Sequence, residues 1–287
     1  MPLSESNGSV TLYNWCYRSP PLLQSIFSHM TRRLLALLLL AVPVLGLGPS
    51  PALGEYLLNL QGAAVFTERN DVRIPGDSGT KFSLSDELTA DTDYTGRLEA
   101  GYIHRQQDYF GLVIAPLSVD SHGRLNRDIA FSGKIFTAGT NLDATFRFDS
   151  YRLTWRRRLV ARDGLDFWLG FTAKMRDAAI SVEGGGQRAE KTNKGFVPLI
   201  NFLVDWRFAS PWSLHVRGDA LAGPQGRAED VLIAMLYDIS ASTKAFAGYR
   251  ILEGGADNDE VYTFSLFQYA VVGIEYRFAA KRSGDTF

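Results

Sequence analysis

The sequence predicts an all-β protein: a closed, antiparallel transmembrane β-barrel of about ten strands that follows a cleaved signal peptide. Three observations predict this class. An export signal begins at Met30, long segments after Leu57 alternate between apolar and polar residues with a period of two, and full charges stand in the middle of those segments. A soluble β-sandwich also alternates, but its dry core would not accept so many charged side chains. The segments also exceed the roughly 5–6 residues of a usual globular strand. Eight membrane strands are the alternative count.

The export signal reads MTRRLLALLLLAVPVLGLGPSPALGEY and begins at Met30. Two arginines form its positive start, an apolar run covers residues 34–47, and small residues precede the expected cleavage site before Glu55. The apolar run is too short for a membrane helix, which needs roughly 18 or more apolar residues. We therefore interpret residues 30–54 as a signal peptide, and residues 1–29 as a start codon assigned too early or a disordered extension.

The composition limits what the mature segment can be. The chain has 30 Lys and Arg and 31 Asp and Glu; residues 1–54 hold three of the basic residues and one acid, which leaves 27 against 30 and a net charge of −3. This balance predicts no nucleic-acid partner. The single cysteine, Cys16, precedes the mature segment, so no disulfide braces it. Because no linker or repeat interrupts the pattern, we expect one domain over residues 55–278 and a tail over 279–287.

The alternating segments predict the strands, and the connections between them are of two kinds that alternate along the chain. Short turns at one end and longer polar loops at the other are typical of barrels with periplasmic turns and outside loops. Segment 128–139 either extends the neighbouring strands or forms its own hairpin. The predicted strands are 57–67, 93–106, 109–119, 143–158, 165–183, 195–208, 212–222, 229–240, 243–253 and 261–278. The predicted outside loops are 68–92, 120–142, 184–194, 223–228 and 254–260.

Each predicted strand has one apolar face for lipid and one polar face for the lumen, because successive side chains point to opposite faces. Charges of both signs on the lumen face predict a cross-linked polar network, and aromatic residues near strand ends predict an interfacial girdle. The predicted network is Arg97, Glu99, Lys174, Arg176, Asp205, Arg207, His215, Arg217 and Asp219, in a row that also includes Arg152, Arg250 and Glu275. The predicted girdle is Trp155, Trp206, Trp212, Tyr276 and Phe278.

The last predicted strand, AVVGIEYRF (270–278), alternates throughout and ends on an aromatic residue. It resembles the C-terminal strand of bacterial outer-membrane β-barrel proteins, which the barrel-assembly machinery reads. The resemblance covers the signal and nearly all of residues 55–278. It implies a Gram-negative outer-membrane location, contact with outer-membrane lipid and lipopolysaccharide, and recognition of 270–278 by that machinery. The chain departs from the pattern because AAKRSGDTF follows Phe278.

One lumen-facing histidine is the candidate for catalysis. His215 shares a row with Ser213 and Asp219. Some outer-membrane lipid A deacylases are barrels with a His, Ser and acid set, but their histidine precedes the serine as H-x-S, whereas this chain reads SLH. Strand geometry separates Ser213 and His215 by roughly 6–7 Å, too far for a direct hydrogen bond. We expect a ladder of salt bridges and hydrogen bonds at His215 instead.

A barrel of about ten strands encloses a narrow interior that side chains fill, whereas open channels appear at around 16–18 strands. The leading hypothesis is therefore a non-enzymatic outer-membrane protein that serves envelope structure or surface interaction through its extracellular loops. A lipid-modifying hydrolase like the lipid A deacylases and a soluble periplasmic ligand-binding barrel are the alternatives. The sequence predicts no cofactor and no metal, because its acidic residues lack the spacing of a calcium loop. It does not specify an extracellular ligand.

Overall fold

The computed structural model describes residues 54–223 and 226–279, and its regular structure there is entirely β. No helix in this part of the chain is long and apolar enough to cross a membrane. The predicted extension, nearly all of the predicted signal peptide and the tail from 280 onward lie outside the described residues. The strands are β1 (Gly54–Arg73), β2 (Phe82–Ser83), β3 (Thr89–Ala90), β4 (Asp93–His104), β5 (Asp108–Ala115), β6 (Ser118–Arg124), β7 (Ile129–Phe131), β8 (Lys134–Phe136), β9 (Asn141–Arg162), β10 (Leu165–Gly184), β11 (Gln187–Ala209), β12 (Trp212–Gly223), β13 (Gly226–Asp238), β14 (Thr243–Asp257) and β15 (Tyr262–Ala279).

Ten of these strands close into an antiparallel barrel, which confirms the predicted fold class and strand count. Around the wall the order is β1, β4, β5, β9 and then β10 to β15, and β15 pairs with β1 to close it. The closing seam is long, because pairing runs from Glu55 opposite Ala279 to Arg73 opposite Tyr262. Strand β6 continues the line of β5 along β9, and β7 and β8 form a separate hairpin.

The two ends of the barrel differ in the way the sequence predicts, with two corrections. Short turns lie at the end of the barrel where β1 begins and β15 ends, with Tyr56 opposite Phe278. The predictions of outside loops over 184–194 and 223–228 are wrong. β10 and β11 meet at a tight turn of Gly185 and Gly186, both with positive φ, and β12 and β13 pair as far as Gly223 opposite Gly226. Residues 187–194 do not alternate because a wall above the membrane needs no apolar outer face; of these residues only Ala189 is buried in the core.

The barrel exterior forms an apolar band. Along β10, Leu169, Phe171 and Met175 are exposed, whereas the intervening Thr172 and Lys174 are buried. Soluble monomers rarely expose contiguous apolar patches larger than a few hundred Å², so this band favours a membrane location over the soluble alternative. The large exposed apolar residues on the strands include Leu58, Leu60, Phe110, Leu112, Leu153, Ile200, Ile233, Met235, Tyr249, Ile251, Val272 and Ile274.

Aromatic side chains gather on the exterior near the short-turn end. Trp206 stacks near Phe208 at 5.5 Å between ring centroids, and Trp212 lies 4.9 Å from Tyr237. Tyr276 and Phe278 are 5.7 Å apart, and the indole of Trp155 donates a hydrogen bond to Asp108 at 3.2 Å. The five aromatic residues predicted as the girdle therefore all lie toward one rim, where the amphipathic rings of Trp and Tyr suit a membrane interface.

The long loops at the opposite end fold back into the mouth of the barrel. Leu84 donates its backbone N–H to Asn70, and backbone hydrogen bonds from Thr80 to Ala130 and from Ser132 to Ile74 hold the two long loops together. Their apolar side chains pack on lumen-facing residues of the tall strands. This mouth core, as we call it, comprises Val72, Ile74, Phe82, Leu84, Leu88, Leu125, Ile129, Phe131 and Phe136 against Phe146, Ile180, Val182 and Phe267.

Candidate functional site

Below the mouth core, the lumen is crossed by a network of buried ion pairs centred on Asp230. One oxygen of its carboxylate, Oδ2, lies 2.6 Å from Arg152 Nη2 and 3.0 Å from Arg97 Nη1. The other, Oδ1, lies 3.4 Å from Arg250 Nε. Asp230 and its three partners come from four strands around the wall, so the network links opposite sides of the barrel. Such buried pairs are retained only when charge and hydrogen bonds are well matched.

Two further carboxylates extend the network. Asp219 accepts Arg152 Nη1 at 2.6 Å, Thr172 Oγ1 at 2.6 Å and Asn201 Nδ2 at 2.8 Å. Glu99 accepts Arg217 Nη1 at 2.8 Å and the Tyr109 hydroxyl at 2.5 Å. Each carboxylate is thus satisfied by several donors, which is the condition for a stable buried polar layer.

Tyr109 shows how the wall makes room for this layer. Its ring lies flat against the strands at Gly101 and Gly111, where an added Cβ would come within 2.4 Å and 2.3 Å of the tyrosine side chain. The guanidinium of Arg156 sits 3.8 Å from the centroid of the same ring. Glycine is needed at both positions because only a residue without a Cβ allows so close an approach.

The structure does not assemble the predicted catalytic set. His215 Nε2 lies 2.9 Å from Asp205 Oδ2, whereas Asp219 is held by Arg152, Thr172 and Asn201. Ser213 is buried and its hydroxyl has no hydrogen-bond partner among the described residues. A Ser–His–acid triad needs the histidine between the other two groups, and here it is paired with a carboxylate on a neighbouring strand instead.

Three predicted network members stand apart from the ion pairs. Arg207 is exposed near the short-turn end. Arg176 hydrogen-bonds the side-chain oxygen of Asn193, and the described residues place no carboxylate within 4.0 Å of its guanidinium. Lys174 is buried, 3% exposed, and has neither an ion pair nor a hydrogen bond within the described ranges; its ammonium lies 4.7 Å from the Phe148 ring centroid.

Sequence reasoning missed the residue that holds the network together. Asp230 alternates with apolar neighbours on its strand, as do many other polar residues, and nothing in that local pattern marks it as a centre. Its partners lie far away in sequence, so only barrel closure brings them together. Other network members without a local signal are Asn59, Gln61, Tyr109, Arg156 and Tyr269.

On the extracellular side, charged residues of the loops form pairs at the surface. Arg127 joins the carboxylate of Glu87, and this hydrogen-bonded ion pair lowers the pKa of Glu87 despite its partial burial. His122 Nδ1 lies 3.5 Å from Asp91 Oδ1, with both side chains more than half exposed. Within residues 54–223 and 226–279, no group of three or more His, Cys, Asp or Glu side chains is placed to hold a metal ion.

Comparisons with known proteins find likeness of fold alone. No protein-family model and no curated protein matches the chain. The outer membrane protease OmpT from Escherichia coli is similar at 10% identity over 81% of this chain and 99% of that chain, with a TM-score of 0.48. Ail, the attachment invasion locus protein of Yersinia pestis, is similar at 11% identity over 79% and 99%, with a TM-score of 0.36. The outer membrane protein OprG from Pseudomonas aeruginosa is similar at 10% identity over 79% and 97%, with a TM-score of 0.35.

These likenesses assign no activity, and the fold is established by this chain's own strand pairing. The closed ten-stranded wall, the apolar exterior and the aromatic rim are the features of a transmembrane barrel of the bacterial outer-membrane type. Long loops lie at the end opposite Gly54 and Ala279 and identify that end as extracellular.

Proposed function

We propose that this outer-membrane barrel is sealed and non-enzymatic, and that it acts through its extracellular surface. The observation that carries the proposal is the filled lumen: the Asp230 network crosses it below, and the mouth core occupies it above. The cavity within the network measures about 20 Å³, which is room for about one water molecule. A barrel filled in this way favours a structural or binding role over solute diffusion.

The lipid-modifying alternative has less support. His215 is 5% exposed inside the lumen and is paired with Asp205, and the Ser213 hydroxyl has no hydrogen-bond partner among the described residues, so His215 does not activate it. An acyl chain of a surrounding lipid would have to cross the hydrogen-bonded wall to reach it. Hydrolysis would also require donors for the developing oxyanion, and no set of donors next to Ser213 is apparent among the described residues.

The extracellular hairpin of β7 and β8 supports a surface role. Its inner residues, Ile129, Phe131 and Phe136, are buried in the mouth core. Its tip is exposed to solvent, with Ile135 62% exposed beside Lys134. A tip anchored in this way is presented with little freedom, and rigid presentation lowers the entropic cost of binding. We infer that the hairpin tip belongs to the interaction surface.

Assembly is the second part of the proposal. Residues 270–278 form half of the final strand, β15, which pairs with β1 to close the barrel. A closing strand that ends in aromatic residues at the periplasmic rim is placed where assembly machinery would meet it. We propose that this segment carries the assembly signal.

A complementation experiment separates the surface role from catalysis. In a strain lacking the gene, His215→Ala should restore wild-type cell attachment and dye exclusion and leave lipid A acylation unchanged. We expect it to cost only about 0.5–1.5 kcal/mol of stability, the net worth of a typical hydrogen bond. The double variant Lys134→Glu, Ile135→Asp should fold but fail to restore attachment. Attachment, dye entry and lipid A mass spectra are the measurements.

Two outcomes would overturn the proposal. A changed acyl-chain pattern in the His215→Ala strain would identify the lumen as a catalytic site. Full restoration by the tip variant, with normal surface exposure of the protein, would remove the hairpin from the interaction surface. Heat-modifiable migration in SDS gels checks that each variant forms a closed barrel.

A further inference from the structure

The extracellular half of the wall has a notch beside β11, above the hairpin of β12 and β13. Strand β14 does not rise above this hairpin, because it pairs with β13 up to Ala256 opposite Gly226 and ends one residue later. Strand β11 pairs with β10 from end to end, but its pairing with β12 stops at Ile200 opposite Ala220. Residues 187–199 therefore have no strand partner on that side among the described residues. The hairpin of β12 and β13 ends at Gly223 and Gly226, far below the top of β11. Above this low hairpin, Lys191 Nζ lies 3.3 Å from Glu260 Oε2 and bridges the gap.

The notch opens at the outer edge of the lipid layer. Strand β12 runs from Trp212, in the aromatic rim, to Gly223. A membrane strand spans the hydrocarbon in about 9–11 residues, so β12 ends where the hydrocarbon ends. Exposed apolar side chains border the notch, with Phe196 of β11 62% exposed and Leu221 of β12 38% exposed. A lipid chain in the outer leaflet thus meets an apolar surface at this opening.

Behind the notch lies a cavity of about 70 Å³, the larger of the two described. One part of its lining is apolar and the other part is polar, with lysine, arginine and hydroxyl groups and the carboxylate of Glu253. The volume holds about five water-sized groups on the same measure, enough for an ionic head and a few methylenes but too small for a whole lipid. The lining residues on which the inference depends are Phe148, Val197, Leu252 and Phe267 on the apolar part and Lys174, Arg176 and Thr263 on the polar part.

The one carboxylate in the lining, Glu253, is paired with Arg227, and the other charged donors of the lining lack an acceptor of opposite charge in the described part of the chain. Lys174 is 3% exposed and has no ion-pair or hydrogen-bond partner within the described residues. In the same part of the chain, Arg176 Nε and Thr263 Oγ1 are buried without a hydrogen-bond partner. The nearby lumen carboxylates Asp219 and Asp230 are already engaged by Arg152. A buried cation without a partner is costly, and three donors around one cavity are satisfied together by a single bound anion.

We propose that the notch admits a single-chain anionic amphiphile from the outer leaflet, a fatty-acid-like carboxylate, whose head is bound by Lys174. The carboxylate supplies the acceptor that Lys174, Arg176 and Thr263 lack. The first methylenes lie against Phe148, Leu252 and Phe267, and the rest of the chain leaves through the notch into lipid. Val197, on the unpaired stretch of β11, stands where the chain passes. This site does not depend on the surface role of the hairpin.

The test uses the full mature barrel in phosphatidylcholine nanodiscs with radiolabelled decanoate as the probe. Wild type should bind decanoate saturably, one per barrel, above empty nanodiscs. Lys174→Met keeps the side-chain length and removes the charge, and should weaken binding about tenfold or more, as loss of a charged hydrogen bond does. Val197→Trp should block binding by filling the passage. Lys244→Met is the matched control, because Lys244 also faces the lumen but pairs with Asp238 at 3.1 Å near the short-turn end.

Competitors identify what is recognised. Decyl phosphate should displace decanoate, since it carries an anionic head on one chain, and inorganic phosphate should not. Three results would overturn the proposal: no saturable binding above empty nanodiscs, equal binding by wild type and Lys174→Met, or displacement by inorganic phosphate as effective as by decyl phosphate. The last would mean a free-anion site reached through water. Heat-modifiable gel migration shows that each variant is folded.

Discussion

Asp230→Asn should lower the free energy of unfolding by about 3–5 kcal/mol, because removing one member of a buried ion-pair network leaves its partners uncompensated. The substitution keeps the side-chain volume and removes the charge that faces Arg152, Arg97 and Arg250. All three guanidinium groups are buried or nearly so. Urea unfolding in phospholipid vesicles, followed by tryptophan fluorescence, measures the change.

The same substitution at Asp166 is the matched control. Asp166 Oδ2 lies 3.4 Å from Arg158 Nη1, and both side chains are partly open to solvent, 34% and 25% exposed. Exposed pairs of this kind contribute about 0–1 kcal/mol. If Asp230→Asn and Asp166→Asn cost the same, the Asp230 network would not be a stabilising centre of the lumen.

Phe202→Arg should cost about 2–4 kcal/mol, the value for a basic residue at the bilayer midplane on the lipid face of a barrel. Phe202 faces outward on β11, where its ring packs over Gly218 of β12. It is opposite Gly218, which lies about midway along β12 between Trp212 in the aromatic rim and Gly223 at the upper end. Unfolding in vesicles measures the cost, with urea as the denaturant.

Phe208→Arg is the control for depth. Phe208 is 44% exposed on the same strand, but it belongs to the aromatic rim beside Trp206. A basic residue near the interface costs only about 0–1 kcal/mol because its charge reaches water. Equal costs at the two positions would contradict the placement of the membrane. Leu203→Arg is a poor control, since Leu203 packs with Ile103, Tyr109 and Trp168 inside the lumen.

Alternation predicts the strands that cross the membrane, because lipid on one side and a polar lumen on the other impose a period of two. The prediction 165–183 corresponds to β10, Leu165–Gly184. Alternation no longer predicts a strand above the membrane, where there is no longer lipid on one side of the wall and a polar lumen on the other. The upper third of β11 reads QRAEKTNK, in which only Ala189 is apolar and buried, and it forms a strand because β10 supplies hydrogen-bond partners.

The sequence predicts that charged side chains fill the lumen, but it does not predict which of them contact each other. Charged residues on the inward face predict a polar network, yet Asp230 and Arg97 are brought together only by closure of the wall. The sequence indicates the mouth core less clearly than the polar network. Val72, Ile74 and Phe82 are apolar residues in a loop that otherwise looks solvated, and without a period they do not indicate which surface they will cover.

The most direct test of a sealed lumen is single-channel recording in planar lipid bilayers, with a sixteen-stranded porin as the positive control for an open barrel. We expect the mature protein to insert without producing resolved conductance steps, because the Asp230 network and the mouth core fill the lumen at two levels. Stable, stepwise openings at low voltage would contradict the sealed barrel and favour a channel.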